Sequence, residues 1–305
     1  MTQRFELATI ALDGKPTASL FAMGRYWPLA PLSDRLNMSG FAGGLIDLFP
    51  HWDIAFAGLS DMVRQIDTKA ADLALAADKA TILTPLQYPG KVLCAGANYY
   101  DHLAEMGMQD LRKEAQRLFF FFKSPRNALV GPGKTVRMPP DTKALDWEVE
   151  LCAIIGRTAR TVPVKDARAH VAAWTVGIDL SARDLNRAPE TFYKLDWVAG
   201  KGQDTCGPLG PHLVPAAFVP DPMKLSLRLA VNDVVKQDAN TSGMIFDVDE
   251  QISTLSRIMT LDPGDVLFTG TPAGVGAPKN TFLAIGDSVV AEIAGIGRLA
   301  VEIGE

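Results

Sequence analysis

The sequence predicts an α+β fold in two units, a small N-terminal α+β domain over residues 1–84 and a larger domain over residues 85–305. Three observations support this division. The chain of 305 residues exceeds the usual single-domain length. Strand patterns near the N-terminus give way to helical patterns, and strand patterns then resume at residue 91. Between them, residues 82–90 contain two prolines and form the expected boundary.

The N-terminal unit is predicted to start as a β-meander and to continue as helices. Residues 5–12 have a strand pattern, and Asp13-Gly14 is a hairpin signal that leads into strands over residues 16–23 and 26–29. From residue 33 to residue 80 the apolar residues follow a helical spacing. Nothing in this unit predicts chemistry.

Composition narrows the class of protein. Hydrophobic residues make up 48% and charged residues 21%, as in ordinary globular proteins, and the net charge of −5 offers no basic surface for nucleic acid. Three cysteines without paired spacing are expected to be reduced thiols. The first residues do not have a signal-peptide pattern, and no run approaches the roughly 20 apolar residues that span a bilayer. We therefore expect a cytoplasmic protein without nucleic-acid or membrane partners.

The stretch from residue 146 to residue 184 carries the strongest chemical pattern. Glu148 and Glu150 alternate with apolar residues in a strand pattern, so that both carboxylates lie on one face. A second strand-like run, residues 174–180, contains one carboxylate, Asp179. Three carboxylates that meet at one point would suit magnesium, manganese or calcium. The alternative is the polar outer face of a surface strand, and the pattern by itself leaves both interpretations open.

A second candidate site follows the strand predicted over residues 91–96. A short helix ending near Gly107 would place His102 and Glu105 at positions i and i+3, within contact distance. A carboxylate beside an imidazole orients it as a general base. An incidental pair on a surface helix is the alternative.

From about residue 91 onward the sequence resembles the fumarylacetoacetate hydrolase family. The resemblance depends on seven blocks in the expected order: ANYYDHLAEMG, FFKSPRNALVGPG, LDWEVELCAIIGR, GIDLSARDLN, AGKGQDTCGPLGP, ANTSGMIFDV and LDPGDVLFTGTPAGVG. It implies a mixed, β-rich roll or barrel of the fumarylacetoacetase C-terminal type, usually dimeric, with a divalent metal at its open end. Residues 1–84 do not carry the resemblance.

The resemblance also implies roles for individual residues. Glu148, Glu150 and Asp179 correspond to the metal ligands, and His102 and Glu105 to a dyad on a lid that orders over the substrate. Lys201 is similar to the lysine that faces the reacting keto acid. The implied substrate contacts are Arg183, Asn186 and Thr271.

Three of these residues also have plain structural interpretations. Without the resemblance, Lys201 could be a loop lysine, Arg183 a salt-bridge partner of Asp184, and Thr271 part of a tight glycine-rich turn. Both interpretations remain open for each residue at this stage.

The implied activity is metal-dependent hydrolysis of a carbon–carbon bond in an acylpyruvate such as fumarylpyruvate or maleylpyruvate, with Mg²⁺ or Mn²⁺ (Ca²⁺ is possible). Such a step belongs to the catabolism of aromatic compounds. The alternatives are an oxaloacetate-type decarboxylase, an isomerase or dehydratase of a 2-keto-3-deoxy acid, and a non-catalytic metal-binding scaffold. The expected partners are a small 2-oxo acid and a second copy of the chain.

Overall fold

The computed structural model describes residues 3–305, and its N-terminal segment is a meander of strands covered by helices. Asp13 and Gly14 both have positive φ, at 50° and 73°, as the type I′ hairpin turn requires. The predicted hairpin is therefore confirmed. The strands of this segment are β1 (Glu6–Leu12), β2 (Lys15–Ala22), β3 (Arg25–Pro28), β4 (Leu75–Ala76) and β5 (Thr81–Ile82), and its α-helices are α1 (Leu29–Arg35), α2 (Trp52–Val63) and α3 (Ile66–Lys69).

The remainder of the chain is rich in strands and has only short helices, apart from one. Its strands are β6 (Val92–Gly96), β7 (Phe119–Lys123), β8 (Leu129–Val130), β9 (Thr135–Arg137), β10 (Leu145–Asp146), β11 (Val149–Ile155), β12 (Val171–Ile178), β13 (Ser181–Ala182), β14 (Arg187–Ala188), β15 (Lys194–Leu195), β16 (Gly207–Pro215), β17 (Ser226–Val231), β18 (Val234–Asn240), β19 (Val266–Phe268), β20 (Ser288–Ile293) and β21 (Gly297–Gly304). Its α-helices are α4 (Tyr100–Glu105), α5 (Val164–Ala167), α6 (Arg183–Asn186), α7 (Trp197–Lys201) and α8 (Val248–Ile258).

Two mixed sheets form the framework. The main path of the larger sheet has the order β4-β3-β2-β1-β16-β12-β11-β19-β6-β7, and the smaller has the order β18-β17-β20-β21-β9. Most neighbouring strands are antiparallel, but β19 pairs with β6 in parallel and β21 pairs with β9 in parallel. The structure thus confirms the predicted α+β class with a mixed, sheet-rich body.

The N-terminal segment is not separated from this framework. Leu7 on β1 pairs with Leu213 on β16, so the meander extends the larger sheet. Apolar residues of the segment also share one core with residues of β11, β12 and β19. The domain boundary between residues 84 and 85 stays a prediction.

Two cores lie on opposite faces of β11 and β12, which explains why both strands are apolar almost throughout. Leu151 and Ala153 face the core that is shared with the smaller sheet, whereas Cys152 and Ile154 face the core that is shared with the N-terminal segment. Gly177 lies on this second face, where a Cβ atom would come within 2.4 Å of Cys152 Sγ. The even-numbered face of β11 therefore leads out of a closely packed core toward Glu150 and Glu148.

Candidate active site

The three predicted metal-binding carboxylates come together at the end of this face. Val149 pairs with Ile178 across β11 and β12, and the Asp179 amide donates to the Glu148 carbonyl at 2.9 Å. One ligand atom from each of Glu148, Glu150 and Asp179 lies within 4.8 Å of the others. Their exposed fractions are 5%, 1% and 0%. The alternative of a solvent-facing strand is therefore wrong.

Two cations compensate part of this charge. Lys201 Nζ lies 3.0 Å from Glu148 Oε2 and 2.7 Å from Asp179 Oδ2, and Arg183 Nη2 lies 2.6 Å from Glu148 Oε1. Burial by itself would raise the pKa of Glu148, but Lys201, Arg183 and, more weakly, His102 lower the pKa to about 2. For Glu150, burial and the neighbouring Asp179 and Glu148 raise the pKa well above its ordinary value. Within the described residues, Lys201 and Arg183 form ion pairs with Glu148 and Asp179 but not with Glu150.

A buried lysine that the sequence reasoning missed lies beneath the cluster. The three protons of the Lys123 ammonium are donated to the carbonyl oxygens of Leu180, Lys201 and Cys206, at 2.9, 2.8 and 2.8 Å. Asp179 Oδ1 lies 2.8 Å from Lys123 Nζ but accepts no hydrogen bond. The sequence feature that could have indicated this residue is its place at the end of the aromatic strand FFFFK.

These residues fit a divalent cation. Asp179 Oδ1 is a buried carboxylate oxygen without a hydrogen bond, and burial beside Asp179 and Glu148 raises the pKa of the Glu150 carboxylate. Carboxylate oxygens are the ligands that magnesium, manganese and calcium prefer. Glu148, Glu150 and Asp179 are thus the side chains that would hold such an ion.

The predicted dyad is present on α4. His102 Nδ1 lies 2.8 Å from Glu105 Oε1, and Glu105 Oε2 accepts a hydrogen bond from the Gly274 amide at 2.9 Å. Two contacts thus hold the Glu105 carboxylate, which in turn orients the imidazole. His102 is 7% exposed, and the loop whose Gly274 amide holds Glu105 also holds Glu150 through the Gly270 amide, so the dyad and the carboxylate cluster share one loop. His102 Nε2 is then the ring nitrogen that can exchange a proton with a bound molecule.

Arg183 is held by acids other than the one that the sequence suggested. Its Nε donates to Asp146 Oδ2 at 2.9 Å, in addition to the Glu148 contact. Asp184 instead accepts hydrogen bonds from the Thr142 hydroxyl and the Lys143 amide. The alternative of an Arg183–Asp184 pair is therefore wrong, because the two side chains leave α6 toward different partners.

The remaining predicted residues have defined places. Lys201 ends α7 and is 5% exposed, so it is not a surface loop lysine. Asn186 donates to the Asp196 carbonyl at 3.1 Å, which connects α6 to the segment that precedes α7. The Thr271 hydroxyl donates to the Val149 carbonyl at 2.9 Å. Substrate contacts by Arg183, Asn186 and Thr271 stay predictions.

Asp146 is a second residue to which the sequence reasoning gave no role. Its carboxylate accepts hydrogen bonds from the amides of Gly276 and Ala277, at 2.6 and 3.0 Å, and from Arg183. It thereby connects the glycine-rich loop after β19 to the end of β10, shortly before the two glutamates. Only its place at the start of the block LDWEVEL marked it in the sequence.

A family model described as the fumarylacetoacetate (FAA) hydrolase C-terminal domain matches residues 91–303. This range contains every predicted site residue. The chain belongs to the fumarylacetoacetate hydrolase family. Members of this family are enzymes that act on small molecules.

Relatives within the family differ in their named activities. The chain is 38% identical over 272 residues to the mitochondrial oxaloacetate tautomerase FAHD2A of Bos taurus, and the match covers 85% of this chain and 83% of the relative. It is 32% identical to fumarylpyruvate hydrolase from Pseudomonas aeruginosa, solved with Mn²⁺ and pyruvate, with a TM-score of 0.64 and coverage of 74% and 92%. Maleylpyruvate hydrolase from Sphingobium is 27% identical, with a TM-score of 0.75 and coverage of 98% and 99%.

Among residues 3–305, no helix has the length and apolar character needed to cross a membrane. The Bos taurus relative is named as a mitochondrial protein. The cytoplasmic location stays a prediction.

Proposed function

We propose that this protein is a divalent-metal-dependent enzyme that interconverts the keto and enol forms of an oxaloacetate-like 2-oxo acid. The main observation that supports this proposal is the buried cluster of Glu148, Glu150 and Asp179 beside the His102–Glu105 pair and Lys201. The similarity to an oxaloacetate tautomerase over 85% of the chain supports this choice. Because of this similarity, we prefer tautomerisation to the acylpyruvate hydrolysis that the sequence favoured.

The reaction requires one proton to move between C3 and the ketone oxygen. A divalent cation bound by the three carboxylates would supply a Lewis acid that polarises the ketone. His102 takes the C3 proton, which leaves the electron pair delocalised onto the ketone oxygen as an enolate. Returning a proton to that oxygen gives the enol, and the reverse sequence restores the ketone.

The other side chains support this transfer without exchanging a proton themselves. Glu105 orients the His102 ring and stabilises its charged form, and the Gly274 amide holds Glu105 in place. The Lys201 ammonium adds positive charge where the enolate charge develops. The surrounding burial strengthens this attraction, because water is largely excluded from the cluster.

Acylpyruvate hydrolysis is the second candidate, and the similarity to fumarylpyruvate and maleylpyruvate hydrolases favours it. Here His102 would take a proton from water, and the resulting hydroxide would add to the distal carbonyl. The bond between that carbonyl carbon and C3 then breaks, and its electron pair leaves with pyruvate as an enolate. Protonation at C3 completes pyruvate, and the other product is the free acid.

The experiment gives the purified protein with Mg²⁺ or Mn²⁺ the enol form of oxaloacetate, fumarylpyruvate and maleylpyruvate in parallel. Loss of the enol ultraviolet absorbance is recorded together with pyruvate, which a coupled lactate dehydrogenase assay detects. Tautomerisation consumes enol-oxaloacetate without pyruvate, hydrolysis releases one pyruvate per acylpyruvate, and decarboxylation releases pyruvate from oxaloacetate. Metal without protein gives the background rate.

Two variants assign the activity to the site. We expect His102→Ala to lower the rate by about 10²–10⁴-fold, the range that positioned proton transfer supplies. His170→Ala is the matched control, because His170 is partly exposed and its Nδ1 bonds to the Arg157 carbonyl rather than to a carboxylate. No acceleration of any of the three substrates by the wild-type protein would refute the proposal.

A homodimer, implied by the resemblance, also stays a prediction. The segment from β14 through α7 exposes large apolar side chains, with Phe192 at 87%, Tyr193 at 82% and Val198 at 79% exposure. We expect self-association at this surface. Light scattering after size exclusion measures the mass, and a monomer at micromolar concentration would contradict the prediction.

A further inference from the structure

The backbone between the two glutamates lacks a neighbouring strand on one side. Alternate residues of a strand direct their backbone groups to opposite neighbours, and the Glu148 carbonyl accepts from the Asp179 amide, directly after β12. Val149 therefore faces the other way, toward β19. That strand pairs with β11 only at Cys152, Ala153 and Ile154, and it ends at Phe268. The amide and carbonyl of Val149 must find other partners, because buried backbone groups are costly to leave unpaired.

Two side chains take the place of the missing strand. The Val149 amide donates to Gln237 Oε1 at 2.9 Å, and the Val149 carbonyl accepts from Thr271 Oγ1 at 2.9 Å. Gln237 Nε2 in turn donates to Thr271 Oγ1 at 2.9 Å and to the Pro272 carbonyl at 2.8 Å. Gln237 is 1% exposed and Thr271 is 3% exposed. The result is a closed, buried ring of hydrogen bonds around the residue that separates the two glutamates.

The ring joins three parts of the molecule. Gln237 lies on β18 of the smaller sheet, whereas Val149 begins β11 of the larger sheet. The loop that contains Thr271 also holds Glu150, whose Oε2 accepts from the Gly270 amide at 2.6 Å. Farther along, the same loop holds Glu105 through Gly274. A displaced Gln237 would thus shift the backbone of the metal-binding strand and the loop that holds the dyad.

We infer that Gln237 is a positioning residue that sets the spacing of the Glu148 and Glu150 carboxylates for a divalent cation. The inference rests on the metal-binding role proposed for these glutamates. The hydrogen bonds of Gln237 go to Val149, Thr271 and Pro272 rather than to either glutamate. It acts through Val149 and Thr271, and groups that orient ligands in this way typically alter metal affinity by about 10–100-fold.

The test measures Mn²⁺ binding to metal-stripped protein by electron paramagnetic resonance, without substrate. We expect Gln237→Leu to weaken Mn²⁺ binding by about 10–100-fold, because the Val149 amide loses its acceptor. Thr271→Val should give a similar loss since it removes the hydroxyl at nearly constant shape. Thr271→Ser keeps the hydroxyl, so its Mn²⁺ affinity should stay within a factor of about 3 of the wild-type value, well below the loss of about 10–100-fold.

Gln251→Leu is the matched control. Gln251 is buried like Gln237 and bonds to the carbonyls of Phe246 and Thr269, but it makes no hydrogen bond to β11. This variant should lower the melting temperature while leaving Mn²⁺ affinity unchanged.

The outcomes separate this inference from the proposed function. Wild-type protein that binds no Mn²⁺ would overturn the metal site and the proposed function with it. Wild-type affinity in Gln237→Leu and Thr271→Val would overturn the positioning role alone. Equal losses in Gln251→Leu would also overturn it, since any buried glutamine would then suffice. Should Gln237→Leu not fold, the comparison of Thr271→Val with Thr271→Ser decides.

Discussion

Replacement of Lys123 by methionine should destabilise the protein strongly without changing its surface. The side chain is fully buried, and its ammonium donates to three backbone carbonyls beside Asp179. Methionine fills a similar volume but offers no donor. Three carbonyl oxygens and one carboxylate would then be buried without their cation.

The magnitude follows from these contacts. Three hydrogen bonds from a charged donor are worth roughly 1.5–3 kcal/mol each, so their gross loss is about 5–9 kcal/mol. Methionine recovers part of this because it avoids the cost of burying an ammonium group. We therefore expect the free energy of unfolding to fall by about 3–5 kcal/mol, the range for removing one partner of a buried ion pair.

Equilibrium unfolding in urea, followed by tryptophan fluorescence and circular dichroism, measures this difference. Lys113→Met is the matched control, because Lys113 is 38% exposed and pairs with Glu250 near the surface. Its loss should not exceed about 1 kcal/mol. A Lys123→Met variant no less stable than Lys113→Met would show that the buried ammonium does not hold this site together.

Three further predictions concern the site itself. Glu150→Gln should abolish activity and weaken Mn²⁺ binding, because a metal ligand is lost. The circular dichroism spectrum should stay unchanged, because no core side chain is lost. Full activity of this variant after exhaustive chelation would contradict the metal assignment. The segment from residue 104 to residue 118 is densely charged, and its amide hydrogen exchange should slow when oxalate and Mn²⁺ bind; equal protection in both states would argue against a lid. Glu105→Gln should lower the rate less than His102→Ala, because the imidazole remains and loses only the charge that orients it. Steady-state rates on the same substrate compare the two variants. Equal losses of rate would mean that the Glu105 carboxylate does more than orient the imidazole.

Much of the candidate site could be predicted from local pattern and from the resemblance. The alternation around Glu148 and Glu150 indicates one shared face, and the i, i+3 spacing of His102 and Glu105 makes their contact possible. Both are properties of a few consecutive residues. In the structure, Glu148 and Glu150 lie in the same carboxylate cluster, and His102 Nδ1 lies 2.8 Å from Glu105 Oε1. The hairpin at Asp13 was predictable for the same reason.

The partners of the buried charges could not be predicted in this way. Arg183 pairs with Asp146 and Glu148 rather than with its sequence neighbour Asp184, and Lys123 bonds to carbonyls that lie 57 to 83 positions away. Such contacts depend on how β7, α6 and α7 meet around β12. Neither the residue types nor their spacing in the sequence specifies how these elements pack together.

The sequence by itself determined the elements, the pairing of local side chains and the family. Only the tertiary structure decided that the carboxylates are buried and that Lys201 and Arg183 share them. It also decided that Gln237, from the other sheet, completes the strand between the glutamates. The physical reason is that strand and helix patterns arise from neighbours in the chain. Burial, charge compensation and missing backbone partners arise from segments that only packing brings together.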